Sequence, residues 1–240
     1  MSLKQIVQII AGRAGLDIRR INPGQRVYHD LERCLGRKPT TAFDVGANVG
    51  QTALELVKHF PACRIFSFEP DPDTFAKLKD ATARFPNVVP INLGLSDKSS
   101  TSTLRRMKNS VGNTFLDVRD DLPSELQAVG ATKFQDSIDV TVQSIDEFCA
   151  SRTITEIDYL KIDTQGYELS VLMGADLMLR SQKVRFVLLE VEFIPIHKGQ
   201  ASFIDIYAHM TDLGYQMLSI YNRIHASDLR LMWADVGFIL

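Results

Sequence analysis

From Thr40 onward, short runs rich in β-branched and aromatic residues alternate with stretches of helical periodicity. This alternation is typical of a parallel sheet whose strands are joined by crossover helices. We therefore predict an α/β protein with a doubly wound, Rossmann-like, mostly parallel seven-stranded sheet. The predicted strands cover residues 41–47, 64–70, 87–94, 156–163, 184–192, 215–222 and 234–240.

Helices are predicted between these strands, and the end of the chain departs from the alternation. The predicted helices cover residues 50–60, 73–84, 167–179 and 201–213. The last two strands follow each other with no helix between them, which predicts an antiparallel hairpin. Doubly wound methyltransferases end in this way, whereas nicotinamide-binding domains end with a parallel sixth strand, so the hairpin favours the first class.

Residues 95–146 form a less regular insertion in this pattern. A strand-like run covers residues 100–106, a polar stretch follows, and residues 139–145 alternate apolar and polar side chains. We predict a hairpin with a long loop that lies over the carboxyl ends of the strands, which is where ligands bind in open α/β sheets.

Length and charge limit the classes of function. The 240 residues suit one domain over residues 40–240, preceded by a helical extension over residues 1–39. Lys and Arg number 27 against 29 Asp and Glu, and no dense basic stretch is present. Because nucleic-acid binding normally requires a positive face, we expect no nucleic-acid partner.

Cysteines and hydropathy indicate a cytoplasmic protein. Cys34, Cys63 and Cys149 are odd in number and widely scattered, which favours buried thiols over disulfides or a zinc site. No apolar run reaches the roughly 18 residues of a membrane span, so no stable membrane insertion is expected. Apolar residues at helical spacing over residues 3–10 predict a helix that docks on the domain or on a partner subunit, which leaves a homodimer open.

The strongest local signal is the glycine turn that follows the first strand. Glycines at positions 46 and 50 allow a sharp turn and let backbone amides approach a ligand at a helix amino end. Asp44 suits a ligand with positive charge and would repel a pyrophosphate, and Asn48 breaks the G-x-G-x-x-G fingerprint of dinucleotide sites. The turn therefore predicts an S-adenosylmethionine site, whose residues in this segment are Asp44, Gly46, Ala47, Asn48, Gly50, Gln51 and Thr52.

The tips of the second and third strands supply the remaining predicted cofactor contacts. Glu69 ends the second strand before Pro70, where a carboxylate can accept both ribose hydroxyl protons. NAD and S-adenosylmethionine share this contact, so Glu69 does not separate them. Gly94, Leu95 and Asp97 follow the third strand and are candidates to frame the adenine, although the same residues also suit a simple turn.

Five separated segments of this sequence resemble the FkbM-type methyltransferases. They are FDVGANVG, FSFEPDP, IDYLKIDTQGYELSVLMGA, VLLEVEFIPIHKGQ and ADVGFIL, and the resemblance covers about residues 40–240. It implies a Rossmann-like methyltransferase fold, S-adenosylmethionine as donor, and often an O-methyl acceptor on a sugar, glycolipid or natural product. It also implies cofactor or active-site roles for Asp44, Gly46, Asn48, Gly50, Glu69 and Asp163.

Two positions depart from the pattern of the family. Many relatives carry an acidic residue where Gln165 stands, which weakens the case for a divalent metal at that loop, and we assign no metal ligand. An aromatic residue is more usual where His197 stands. The departure at His197 leaves the identity of the acceptor open.

A hydroxyl acceptor requires a base, and three residues are candidates for catalysis: Asp163, Glu192 and His197. Glu190 and Glu192 share a face of the fifth strand by alternation, so they can act together. Asp163 also suits a helix cap, and the segment around His197 also suits a solvated loop.

Three other functions remain open on the sequence. They are an N- or carboxyl-methyltransferase on another small molecule, a nucleotide-binding oxidoreductase, and a partner subunit that binds the donor without turnover. We predict an O-methyltransferase acting on a small-molecule or glycan acceptor.

Overall fold

A computed structural model of the chain describes residues 24–122 and 130–240, together with Ile6 and Leu126. The predicted docking helix over residues 3–10 lies outside this range except for Ile6. Among the helices described, none combines the length and apolar character needed to cross a bilayer.

Within that range the chain forms ten strands and seven α-helices. The strands are β1 (Thr41–Val45), β2 (Arg64–Phe68), β3 (Val88–Ile91), β4 (Gly94–Leu95), β5 (Ser100–Met107), β6 (Phe134–Gln143), β7 (Ile157–Ile162), β8 (Val184–Glu192), β9 (Gln216–His225) and β10 (Leu231–Ile239). The helices are α1 (Val27–Leu35), α2 (Gln51–His59), α3 (Pro72–Thr82), α4 (Ile145–Ser151), α5 (Glu168–Met173), α6 (Asp176–Arg180) and α7 (Phe203–Asp212).

Seven strands form the central sheet in the order β3-β2-β1-β7-β8-β10-β9. The first five are parallel to one another, and β10 runs antiparallel between β8 and β9. The predicted fold class, a mostly parallel seven-stranded sheet with an antiparallel hairpin at its end, is confirmed. The chain order reverses between β1 and β7, and a crevice at such a switch point is the usual ligand site of this architecture.

Helices cover both faces of the sheet, so its central strands are buried on both sides. Ala42 and Phe43, adjacent on β1, point to opposite faces and both have no exposed surface. Leu31 of α1 is equally buried and belongs to the cluster around Ala42. Part of the predicted extension thus packs on the core, and the boundary at residue 40 stays a prediction.

The predicted single strand over residues 87–94 is wrong. β3 ends at Ile91, and Gly94–Leu95 forms β4, which pairs with β6 outside the central sheet. The break occurs because the Asn92 side-chain amide donates to the carbonyl oxygens of Glu69 and Pro70, at 2.9 and 3.0 Å. These contacts hold Asn92 against the residues that follow β2, at the point where β3 stops.

The predicted single helix over residues 167–179 is also wrong, because it is interrupted at Gly174 between α5 and α6. A Cβ atom at position 174 would lie 1.9 Å from the Ser96 carbonyl oxygen. Only glycine, which has no Cβ atom, lets this segment lie so close to the Ser96 carbonyl. Helix α4 was not predicted, although Ser144 caps it by accepting a hydrogen bond from the Glu147 amide, a signal present in the sequence.

The insertion forms a second, three-stranded sheet in the order β4-β6-β5. β5 and β6 pair antiparallel, which confirms the predicted hairpin, although β6 begins at Phe134 rather than at residue 139. The connection between these strands includes residues that cover the carboxyl ends of the central strands. The cysteines are free; Cys63 and Cys149 are buried as predicted, whereas Cys34 is exposed, contrary to the prediction.

Candidate active site

A cavity of about 420 Å³ opens at the carboxyl ends of β1, β2, β7 and β8, beside the switch point. This volume is in the range of small-molecule sites. Twelve of the residues predicted from the sequence line it: Gly46, Ala47, Asn48, Gln51, Thr52, Glu69, Pro70, Gly94, Leu95, Asp163, Glu192 and His197.

Three predicted residues do not line the cavity. Asp44 is completely buried beneath the glycine turn, Gly50 precedes α2 as its N-cap, and Asp97 is exposed and accepts a hydrogen bond from the Ser96 hydroxyl. Their contacts with a cofactor stay predictions.

The glycine turn is held by backbone groups of the neighbouring strands. The amides of Gly46 and Ala47 donate to the Phe68 carbonyl oxygen at 3.1 and 2.9 Å. Gly46 has a φ of +77°, and a Cβ atom there would lie 1.8 Å from the Asp163 carbonyl oxygen. Glycine is therefore required for the turn to lie against both β2 and the end of β7.

Glu69 fixes the turn from the second strand. Its carboxylate accepts the Asn48 amide at 3.0 Å and the Asp71 amide at 2.9 Å, and 6% of the residue is exposed. Burial raises the pKa of Glu69 to about 7. Since each carboxylate oxygen has two lone pairs, both can still accept a hydrogen bond from a ligand in the cavity.

The loop after β2 also joins the turn to the insertion. Asp71 caps α3 and accepts hydrogen bonds from the Thr74 hydroxyl at 2.7 Å and the Asn113 amide at 3.3 Å. Arg106 of β5 lies 3.5 Å from the same carboxylate. The insertion is thereby tied to the loop that carries Glu69.

A buried lysine lies at the base of the cavity between two carboxylates. Lys161 Nζ is 2.9 Å from Asp163 Oδ2 and 4.0 Å from Asp44 Oδ1. Neither oxygen of Asp44 has a hydrogen-bond partner within the described structure, and burial raises the pKa of Asp44 to about 6. Burial would also raise the pKa of Asp163, but the charge of Lys161 and the hydrogen bonds to Asp163 outweigh it and keep that pKa below its usual value.

Gln165 links Asp163 to a second acid. Its Nε2 donates to Asp163 Oδ1 at 3.0 Å and to Glu190 Oε2 at 2.6 Å. Burial and the nearby Asp163 charge raise the pKa of Glu190 well above its usual value, whereas that of Asp163 is lowered, so Glu190 is the member of the pair that holds a proton more readily. Glu190 and Glu192 both line the cavity, as strand alternation predicts.

His197 and Glu192 form a buried pair beside this cluster. His197 Nδ1 is 3.3 Å from Glu192 Oε2, and the two residues are 3% and 8% exposed. The amides of Ile196 and His197 donate to Gln200 Oε1 at 2.8 and 2.7 Å, which holds the loop in place. His197 itself is therefore buried rather than solvated, whereas Pro195, Lys198 and Gly199 of the same loop are exposed.

Glu168, which was not predicted, positions the loop that packs against His197. Its Oε1 accepts the amides of Thr164 and Gly166 at 2.9 and 3.2 Å. A Cβ atom at Gly166 would lie 3.0 Å from His197 Nδ1, so the loop and the imidazole are in close contact. Burial and the Glu192 charge raise the pKa of Glu168 to about 8.

The rest of the cavity wall comes largely from the insertion and was not predicted by residue. The position of the insertion was predicted, but its sequence carried no signal that selected individual side chains. These lining residues are Leu104, Ser110, Val111, Asn113, Thr114, Phe115, Leu126, Ala131, Thr132, Ile196 and Trp233.

Comparison with known proteins gives a consistent assignment. The model of the methyltransferase FkbM domain matches residues 44–217. The hexuronic acid methyltransferase AglP of Haloferax volcanii is 31% identical over 152 residues, which cover 62% of this chain and 54% of AglP. The match thus spans about half the length of that relative. The 2-O-methyltransferase NoeI of Sinorhizobium fredii is 22% identical over 186 residues, which cover 76% of each chain.

Among solved structures, the METTL16 methyltransferase domain aligns with a TM-score of 0.49 at 10% identity, over 96% of this chain and 76% of that one.

The residues of the cavity fit the donor that this family uses. Glu69, Pro70 and Leu95 line the same cavity, so a carboxylate that can accept ribose hydroxyls lies with apolar side chains that can pack on a base. A Cβ atom at Gly94 would lie 3.0 Å from Phe115, so glycine keeps this wall open. The methyl donor is S-adenosylmethionine. Because the family model matches well over half of the sequence and the fold and cavity agree with it, the chain belongs to the FkbM methyltransferases.

Proposed function

We propose that the protein transfers a methyl group from S-adenosylmethionine to a hydroxyl group of a sugar, glycolipid or natural-product acceptor. The observation that carries this proposal is the buried pair of His197 and Glu192 in the cavity wall, 3.3 Å apart. A hydroxyl group is a poor nucleophile until a base removes its proton, and a buried imidazole with a carboxylate partner suits this task.

In this proposal, the donor and the acceptor bind at different sides of the cavity. Glu69 follows β2 and Glu192 ends β8, and these strands are three positions apart in the sheet, about 14 Å at the usual strand spacing. Glu69 would hold the ribose hydroxyls, the turn at residues 46–48 would flank the nucleoside, and Pro70, Gly94 and Leu95 would contact the adenine. The bound donor supplies the methyl group and the positive sulfonium from which it leaves.

We assign proton acceptance to His197 and orientation of its ring to Glu192. In the tautomer with its proton on Nδ1, His197 donates a hydrogen bond to Glu192, and Nε2 then carries the lone pair for the acceptor hydroxyl. Asp163 is less suited as the base because its pKa is low and Lys161 and Gln165 already occupy its oxygens. We propose that Asp163 instead fixes these two side chains at the base of the cavity.

The names of the two relatives support this class of reaction. AglP is named for a hexuronic acid, which is a sugar, and NoeI is named as a 2-O-methyltransferase. Neither name identifies the acceptor of this chain, and identities of 31% and 22% allow acceptors to differ. The cytoplasmic location and the homodimer also stay predictions.

Substitution of His197 tests the proposal. Release of S-adenosylhomocysteine is measured over a panel of neutral glycosides, nucleotide sugars and glycolipids, and donor binding is measured by calorimetry. We expect His197→Ala to lower kcat by about 10²–10⁴-fold, because the base is lost, while donor affinity stays within about twofold. His225→Ala, an exposed histidine on β9, is the matched control and should change neither quantity. A His197→Ala enzyme with wild-type turnover would contradict the assignment, and methylation of amines or carboxylates alone would contradict O-methylation.

A further inference from the structure

We infer that the part of the acceptor that enters the cavity is an uncharged, hydroxyl-bearing sugar ring rather than a sugar acid or a phosphorylated sugar. This inference rests on the proposed function and names its class of substrate. Three observations carry it: the basic groups of the cavity already have partners, carboxyl groups outnumber basic groups in its wall, and an aromatic ring lies beside the His197–Glu192 pair.

The first observation concerns positive charge. Among the described residues that line the cavity, the basic side chains are Lys161 and His197. Lys161 lies 2.9 Å from Asp163 and 4.0 Å from Asp44, and 11% of its side chain is exposed. His197 is engaged at Nδ1 by Glu192. Neither residue therefore offers an unpaired cation to an acceptor carboxylate or phosphate.

Arginines near the cavity are also committed elsewhere. Arg105 pairs with Asp117, and Arg106 pairs with Asp136 at 2.6 Å and with Asp73 at 2.9 Å. Neither arginine lines the cavity among the described residues.

The second observation concerns negative charge. Four carboxyl side chains line the cavity, Glu69, Asp163, Glu190 and Glu192, and Asp44 is buried beneath it. An acceptor anion would lose its hydration here without gaining an unpaired counter-charge, and it would meet the Glu192 carboxylate next to His197. The donor avoids this conflict because its amino and sulfonium groups give it a net positive charge. Neutral hydroxyls can instead donate to the carboxylate oxygens.

The third observation is the aromatic surface beside the proposed base. Trp233 lies directly opposite Glu192 in the β10–β8 register and lines the cavity. Flat aromatic faces suit the C–H faces of a pyranose ring, while the adjacent polar groups meet its hydroxyls. The inferred acceptor therefore differs in charge from the hexuronic acid in the name of AglP.

Matched glycosides test the inference. The 4-nitrophenyl β-galactoside is compared with the β-galacturonide, and the β-glucoside with the β-glucuronide, by release of S-adenosylhomocysteine. We expect the neutral member of each pair to have a kcat/KM at least tenfold higher. Equal or better use of the acids would overturn this inference and leave the proposed function standing. Release with neither member, by a chain that binds the donor, would contradict both.

A charge introduced at the rim of the cavity gives a second test. Val111 is 44% exposed and lines the cavity, so an arginine at this position can be accommodated without repacking the core. We expect Val111→Arg to raise the ratio of kcat/KM for the acid to that for the neutral glycoside at least fivefold, whereas Val111→Gln leaves this ratio unchanged. The same ratio in Val111→Arg and wild type would contradict a charge-based preference.

Discussion

The two ends of the cavity are built in different ways. The donor end, formed by residues 46–48, 51–52, 69–70 and 94–95, consists mainly of backbone turns at the tips of β1 and β2 and of the short strand β4. The acceptor end, formed by Glu192, Ile196, His197 and Trp233, consists of side chains from β8, the loop after it and β10. Side chains of the insertion complete the wall, and Ser110 and Phe115 among them contact Asn48 and the backbone at Gly94 of the donor end. The donor end thus depends on the geometry of the sheet, and the acceptor end depends on which side chains those segments carry. Substitutions at the two ends should therefore have different consequences.

The largest expected effect is at the glycine turn of the donor end. Gly46→Ala would place a Cβ atom 1.8 Å from the Asp163 carbonyl oxygen, at a φ of +77°. The Asp163 carbonyl belongs to the backbone at the end of β7, so it cannot move aside without displacing the sheet. We expect a loss of roughly 3–5 kcal/mol in the free energy of unfolding, measured by urea denaturation, and loss of donor binding.

A matched glycine separates this clash from simple backbone strain. Gly36 also has a positive φ, +64°, but no atom lies within 4 Å of a Cβ atom built there. Gly36→Ala should cost about 1–2 kcal/mol and leave donor affinity intact. Equal losses in the two variants would show that strain, rather than the contact between β1 and β7, makes Gly46 necessary.

The next effect is at Glu69, where a side chain holds the donor end together. Glu69→Ala removes the acceptor of two backbone amides and of the expected ribose hydroxyls. Since a hydrogen bond to a charged group contributes about 1.5–3 kcal/mol, we expect donor affinity to fall about 10- to 100-fold in calorimetry. Glu55→Ala, on the exposed face of α2, is the control. Wild-type donor affinity in a folded Glu69→Ala protein would remove the ribose assignment.

A smaller effect on the free energy of unfolding is expected at Glu168, next to the acceptor end, because its ionisation makes stability depend on pH. Burial raises its pKa from about 4.5 to about 8, so the folded state retains a proton that the unfolded state releases. Stability is therefore lost as pH rises from 4.5 to 8, and Glu168→Gln, which mimics the protonated form, should avoid this loss. We expect the variant to be more stable than wild type by roughly 1–3 kcal/mol at pH 8.

The same variant at pH 4 is the internal control for this prediction, because Glu168 is then protonated in both states. Urea unfolding at pH 4 should give equal stabilities for Glu168→Gln and wild type. An equal difference at pH 4 and pH 8 would mean that the variant acts through packing rather than through ionisation.

The donor end could be predicted from the sequence because its parts follow from local rules. Strand, glycine turn and helix succeed one another within a short segment, and parallel strands bring the turn and Glu69 to the same edge of the sheet. Local rules did not specify the depth of Asp44. Its position inside β1 buries it completely near Lys161, and its contact with the donor stays a prediction.

The acceptor end could be predicted only in part. His197 and Glu192 were found because they follow a recognisable strand, and the placement of the insertion followed from the position of its hairpin. Thr114 and Phe115 could not be selected, because they reach the cavity through long-range packing of the insertion. The protonation of Glu190 likewise depends on burial beside Asp163, which no sequence pattern specifies. The broken helix at Gly174 has the same origin, since the Ser96 carbonyl comes from a distant segment.

A crystal structure of the protein with S-adenosylhomocysteine is the most direct test of a cavity with two differently built ends. We predict that the ribose hydroxyls lie within hydrogen-bond distance of the Glu69 carboxylate and that the adenine lies between Pro70 and Leu95. We also predict that the sulfur atom points toward the side occupied by His197 and Glu192. A ligand bound elsewhere, or one whose ribose avoids Glu69 and whose sulfur faces away from His197, would contradict these predictions.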